Sequence, residues 1–148
     1  MNSIQINDIL RSRCRGTFVG VFALDRLPTN LPPRRPLLLV CNTDPHTLPG
    51  RHWVVLYIGS NGRGEYFDSL NDSAVPMTFV NYLNRWCHSW IRNGRQLQSA
   101  ASRFCAHYCI FFCLFRSLDY DMNAIDSCFT NDSGLNDVFV HAIICKLI

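Results

Sequence analysis

Residues Phe104 to Phe115 carry no formal charge, no glycine and no proline, and their only clear interruption is His107. The run falls short of the roughly 18 apolar residues that a membrane span requires, so no membrane association is expected from it. Extended to Tyr120, the segment reads as a helix that is hydrophobic nearly all round. Such a helix has to be central, with other elements packed on every side of it. A chain of 148 residues has enough length to supply that cover, since a domain of this size buries roughly 68–70% of the surface its unfolded chain exposes. Residues 1–148 are therefore read as a single domain.

Eight cysteines could suggest a secreted disulfide scaffold, but their placement argues against it. Cys105, Cys109 and Cys113 recur every four residues within the apolar helix, which stacks them along one side without a regular bridging geometry. There is no Cys-x-x-Cys pair, so the usual zinc signature is absent and no metal site is expected. The N-terminus, Met-Asn-Ser-Ile-Gln, lacks a basic region followed by an apolar run, so no secretory signal is read and the protein is not expected to be secreted. The cysteines then read as mostly reduced, small buried residues.

The remaining elements surround the central helix. A first helix capped by Ser3 runs to about Arg13, and Thr17 to Leu24 reads as a strand. Pro28, Pro32, Pro33 and Pro36 mark a loop, and Leu37 to Asn42 suits a buried strand. Arg51 to Ile58 is the best strand in the sequence, with Glu65 to Asp68 its hairpin partner. Ser73 to about Asn93 reads as a helix with Phe79, Tyr82, Leu83, Trp86 and Trp90 at helical spacing, ended by Gly94. Arg95 to Gln98 reads as one more short strand, and Asp132 or Asn136 caps a last helix to Leu147. The fold class is α+β: a small, mostly antiparallel sheet packed against a central buried helix that begins at Cys105.

A cysteine nucleophile needs a base, a group that orients the base, and a donor for the developing oxyanion. The chain offers such a set in the order His52, Asp68, Gln98, Cys105. His52 opens the strongest strand and Asp68 ends its partner. Gln98 precedes Cys105 by seven residues, and Cys105 opens the buried helix, where unpaired amides and the helix dipole favour an anion. Each has a blander reading: a packed histidine, a turn aspartate before Ser69-Leu70-Asn71, a core cysteine. Gln96 competes with Gln98, which is favoured on spacing, and Asp72 is the nearest rival of Asp68. His107 reads as a hydrogen-bonded core residue.

Strand parity makes the pairing of His52 with Asp68 conditional. A two-residue Asn61-Gly62 turn would set Val55 opposite Asp68 and put His52 on the other face of the sheet. A three-residue loop, Ser60-Asn61-Gly62, sets Val54 opposite Asp68, so that His52 and Asp68 share a face. The sequence reading therefore requires an odd-length loop or a bulge between Ile58 and Glu65.

Gly50-Arg51-His52-Trp53, Tyr66-Phe67-Asp68 and the run Gln98 to Cys109 resemble the adenovirus-type cysteine endopeptidases, the adenain group, within the clan that includes the ubiquitin-like-protein proteases. The similarity reaches back to Cys14-Arg15-Gly16-Thr17-Phe18-Val19-Gly20 and covers roughly residues 10 to 115. It implies a cysteine-protease fold of the adenain type with His52 as general base, Asp68 as its orienter, Gln98 in the oxyanion hole and Cys105 as nucleophile. Trp53 matches an aromatic that walls the cleft near the scissile bond. By resemblance the substrates are structural precursor proteins of a DNA virus or related transposon, cut next to small residues such as Gly. The setting would be the host nucleus or cytoplasm and the virion. No cofactor is required, while activation by a peptide or by DNA stays open. The alternatives are removal of a ubiquitin-like modifier, acyl transfer by the same residues, and an inactive binding module. The last rests on Ala106, which stands where the family has Gly. The positive charge is almost all arginine, thirteen against the single Lys146. Arginine forks suit DNA or another polyanion, with a solvated surface as the plainer account.

Overall fold

The computed structural model of the chain describes residues 1–148. Five strands lie side by side in chain order: β1 (Phe18–Phe22), β2 (Leu37–Asn42), β3 (Trp53–Ile58), β4 (Arg63–Phe67) and β5 (Ser89–Arg92). Around them are the helices α1 (Ser3–Arg13), α2 (Met77–Trp86), α3 (Cys105–Ser117), α4 (Met122–Asp126) and α5 (Ser133–Leu147).

The two central ladders, β2–β3 and β3–β4, are antiparallel, but both outer ones, β1–β2 and β4–β5, are parallel. The sheet is mixed, which corrects the expectation of a mostly antiparallel one. The reason lies in the connections. Parallel neighbours need a long crossover, and the proline-rich segment 23–36 and the α2 segment 68–88 each carry the chain back to the end it left.

Both faces of the sheet are covered. Leu38, Val40 and Val55 pack with α1, α3 and α5 in one core, while Leu37, Leu39, Cys41, Val54, Leu56 and Ile58 pack with Phe79 and Leu83 of α2 in a second. Period-two alternation between two apolar layers is why β2 reads as an unbroken apolar run. All of α3 from Cys105 to Cys113 is buried. It is the central helix that its all-round hydrophobicity requires.

Several boundaries differ from expectation. The cap of α1 is Asn2, whose side chain accepts from the Gln5 amide while the Gln5 side chain returns to the Asn2 amide. α2 begins only after Pro76, because a residue preceding proline is turned away from helical geometry. It stops at Trp86, and Trp90 belongs to β5 instead. Residues 95–98 form no strand: the amides of Leu97 and Gln98 both donate to the Ser69 carbonyl, at 2.8 and 3.0 Å. Asp132 caps α5 through the Leu135 amide.

The β3–β4 loop has three residues. The Gly59 amide donates to the Arg63 carbonyl at 2.9 Å, enclosing Ser60, Asn61 and Gly62, and Gly62 adopts φ +77. That left-handed conformation is open to glycine without a Cβ clash. The register pairs Val55 with Phe67, so one step further Val54 stands opposite Asp68.

Candidate active site

β3 begins beside the end of β4, and the cleft there also takes in the start of α3. That cleft, of about 830 Å³, is lined by His52, Trp53, Asp68, Gln98, Ser102 and Cys105, among others. The structure thus brings all four residues of the ordered set, and Trp53, to one place. Gln96, the rival of Gln98, is exposed outside the cleft lining, with its side chain donating to the Gln98 carbonyl at 2.8 Å.

The approach to His52 is set by the preceding turn. Gly50 has φ +84, and a Cβ there would come within 2.6 Å of Asn42 Nδ2. Arg51 is tied to the buried Asp44 through its amide (3.1 Å) and its guanidinium (3.2 Å).

His52 Nε2 donates to Asp68 Oδ1 at 2.6 Å. Asp68 is held on every side: Oδ1 also accepts from the Leu70 amide (2.9 Å) and Oδ2 from the Asp72 amide (3.0 Å). Its own peptide groups are gripped by Asn93, whose Oδ1 accepts from the Asp68 amide at 2.9 Å and whose Nδ2 donates to the Asp68 carbonyl at 2.7 Å. Burial pushes the Asp68 carboxyl up, yet the bond to His52, its charge and the two amides outweigh this and hold it below the usual value. Burial likewise pulls the His52 imidazolium down, and the hydrogen bonds to Asp68 and Cys105 overcome it and raise the ring to about 9.

With Nε2 on Asp68, Nδ1 is the ring nitrogen left for the thiol. Burial raises Cys105, but its interaction with His52 and the amides of Trp53 and Ala106 bring it below the ordinary thiol value. Phe104 at the start of α3 provides no side-chain cap, so the first-turn amides remain available to an anion. The opposite holds for Cys109 and Cys113, whose burial holds them well above that value. The arrangement favours ionisation of the Cys105 thiol beside the His52 imidazolium.

Gln98 is only 1% exposed. Its Oε1 accepts from Ser69 Oγ at 2.7 Å, and its Nε2 donates to the Ser102 carbonyl (3.1 Å) and to Ser102 Oγ (3.0 Å). Behind it, Arg95 donates to the Asp126 carboxylate at 3.0 and 3.1 Å and to the Asp126, Phe129 and Thr130 carbonyls. Asn136 donates to the Leu97 carbonyl at 3.1 Å. Asn93, Ser69 and Ser102 were not singled out from the sequence; a lone polar residue in a loop has no spacing to betray it.

His107 lies in the core as expected of it, but its Nδ1 has no hydrogen-bond partner. Burial, followed by the nearby His141, brings it down to about 4. No group of three or more His, Cys, Asp or Glu side chains is arranged to hold a metal ion, and no helix is long and apolar enough to cross a membrane.

No protein-family model and no curated protein matches the chain. Solved structures do. The crystal structure of an ASFV protease superposes with a TM-score of 0.57 at 21% identity, over 74% of this chain and 44% of its own. Cdu1, an effector protein of Chlamydia trachomatis solved bound to ubiquitin, gives 0.55 at 14% identity over 76% of this chain and 60% of its own. The chain has a cysteine-protease fold. Both matches are likenesses of fold, and this chain spans about half the length of those two matched relatives. A structure of similar size, the central domain of the uncharacterized Lpg1148 protein from Legionella pneumophila, matches at TM-score 0.56 and 10% identity over 99% of this chain and 97% of its own.

Proposed function

We propose that this chain is a thiol peptidase that releases a ubiquitin-like protein from the amine to which it is joined. The carrying observation is the meeting of Cys105, its thiol lowered by His52, with the His52–Asp68 pair at 2.6 Å and with Gln98 in one cleft. In this reading Cys105 Sγ attacks the carbonyl carbon and the carbonyl electrons move to oxygen, where Gln98 and the Cys105 amide receive them. As the carbon–nitrogen bond breaks, the proton held by His52 passes to the leaving amine. Water then attacks the thioester, giving a proton to His52 and releasing the acid and the thiolate. Asp68 keeps the imidazole in the tautomer this requires, and Trp53 forms part of the cleft wall beside it.

The choice of substrate is supported by the likeness to Cdu1, which is solved bound to ubiquitin. A second reading is favoured by the run Gln98 to Cys109 and by the likeness to the ASFV protease. Here the chain is an adenain-type endopeptidase that cuts structural precursor proteins next to Gly, in the host nucleus or cytoplasm and the virion. DNA as a further partner has in its support only the arginines that make no carboxylate pair, since Arg51, Arg95 and Arg116 are engaged with Asp44, Asp126 and Glu65.

Ubiquitin-like proteins carrying a C-terminal electrophile test the proposal. Labelling of Cys105, absent in Cys105→Ala and retained in Cys109→Ala and Cys113→Ala, supports it. Cleavage of Gly-containing precursor peptides without such labelling favours the second reading. Acetyl transfer from acetyl-CoA without hydrolysis would make the chain an acyltransferase. A Cys105 inert to every electrophile would make it a binding module.

A further inference from the structure

We propose that Ser69 and Ser102 are positioning residues that fix which end of the Gln98 amide faces the cleft, and that Ser102 Oγ is the acceptor which substrate displaces. This rests on the peptidase reading of the same site.

A glutamine amide presents a donor at one end and an acceptor at the other, and only the donor end can steady an oxyanion. The hydroxyl of Ser69 is indifferent to the choice, because it can donate or accept. The Ser102 carbonyl is not, because it can only accept. At 3.1 Å it requires Nε2 to point toward residue 102. Once that end is settled, Oε1 must face Ser69, whose hydroxyl donates to it at 2.7 Å. Ser69 is 1% exposed, so this bond is sheltered from competing water. Its carbonyl also takes the amides of Leu97 and Gln98, which ties the residue following Asp68 to the segment carrying the amide.

Nε2 has two hydrogens and reaches two acceptors on Ser102, the carbonyl at 3.1 Å and Oγ at 3.0 Å. The two acceptors are not equivalent. The carbonyl is fixed in the main chain, whereas the hydroxyl rotates about a single bond. Ser102 and Gln98 line the same cleft as Cys105. The N–H bound by Ser102 Oγ is therefore the one released to a substrate oxygen, while the carbonyl keeps the amide from turning over.

Peptide aldehydes and iodoacetamide separate this role from general support. An aldehyde forms a tetrahedral adduct that needs the oxyanion donor; alkylation by iodoacetamide needs only the thiolate. Ser69→Ala is expected to lower kcat and aldehyde affinity together by about tenfold, below the 10²–10³ reported for losing an oxyanion donor outright. The alkylation rate should stay within about twofold, and Ser69→Ala should add nothing in a Gln98→Ala background. Ser69→Thr, which keeps the hydroxyl, should restore the ratio of the two reagents. In the unaltered protein, one of the two Gln98 side-chain amide proton resonances should move on aldehyde binding and the other stay.

An equal loss of alkylation, a further loss in Gln98→Ala, or unchanged aldehyde affinity in Ser69→Ala would each overturn the role of Ser69. Movement of neither amide resonance would overturn that of Ser102. If the unaltered protein alkylates but neither binds aldehydes nor cleaves any substrate, the peptidase reading itself falls.

Discussion

His52 and Asp68 meet at 2.6 Å although both lie just outside the strands that carry them, β3 starting at Trp53 and β4 ending at Phe67. Inside a strand each side chain would be held by its pleat. Beyond it, each needs other restraints: the Gly50 turn and the Asp44–Arg51 tie on one side, Asn93 and two amides on the other. The pair is as firm as these restraints.

The thiol depends on the ring. Burial alone would raise Cys105, and His52 heads the influences that lower it. In His52→Ala the pH midpoint for alkylation by iodoacetamide should therefore move upward, past that of the unaltered protein. An unmoved midpoint would show that the α3 amides alone hold the thiolate.

Folding stability should peak at mildly acidic pH. Asp68 is depressed in the folded state, so its contribution is complete above its unfolded value near 4 and is lost as pH falls through the folded one. His52 is raised to about 9, so its contribution is complete below its unfolded value near 6.5 and is lost as pH rises through about 9. Urea midpoints measured from pH 3 to 10 should be highest between about 4 and 6.5, and Asp68→Asn should flatten the acid limb. A profile unchanged by Asp68→Asn would refute the coupling.

Asn93 does for Asp68 what a neighbouring strand would do, engaging both of its peptide groups. Asn93→Ala leaves a buried donor and acceptor unmatched, at a cost of about 1–3 kcal/mol. Urea unfolding should show that loss, together with a slower Cys105 alkylation as the carboxylate drifts. Unfolding indistinguishable from the unaltered protein would count against this account.

Ala106, in the first turn of α3, is 2% exposed and packs in the core, while also lining the cleft beside Cys105. Its methyl is almost wholly buried, so the departure from the Gly of the adenain-type enzymes is not expected to obstruct substrate. Ala106→Gly should cost about 1 kcal/mol in helix propensity, with a further ~0.8 for the lost methyl. The kcat should remain within about twofold. A large gain in kcat would mean the methyl does crowd the cleft.

The parts of this architecture that were legible in the sequence are local or periodic. Leu37–Asn42 shows as a strand because both faces are apolar, and α3 shows as central because it has no polar side. The parity of β3 and β4, given that His52 and Asp68 share a face, required an odd-length loop or a bulge, and the loop has three residues. The parallel pairings of β1 and β5 were hidden, because they depend on where a crossover lands rather than on any residue in the strand. Trp90 fits the helical spacing of α2 yet lies in β5, its indole N–H meeting Asn84 at 2.9 Å. His52, Asp68, Gln98 and Cys105 emerged because chemistry constrains their types and order. Their supports, Ser69, Asn93 and Ser102, follow no such rule.

Arg95 and Asn136 hang the Gln98 segment on residues 126–136, and this gives the chain an order of assembly. A ribosome delivers His52 and Asp68 first and Cys105 after them, and the groups that fasten Gln98 later still, with residues 126–136. Chains stalled before Asp126 would carry Cys105 and His52 with the Gln98 segment untethered. The support of Gln98 is thus complete only once residues 126–136 have emerged and folded against it.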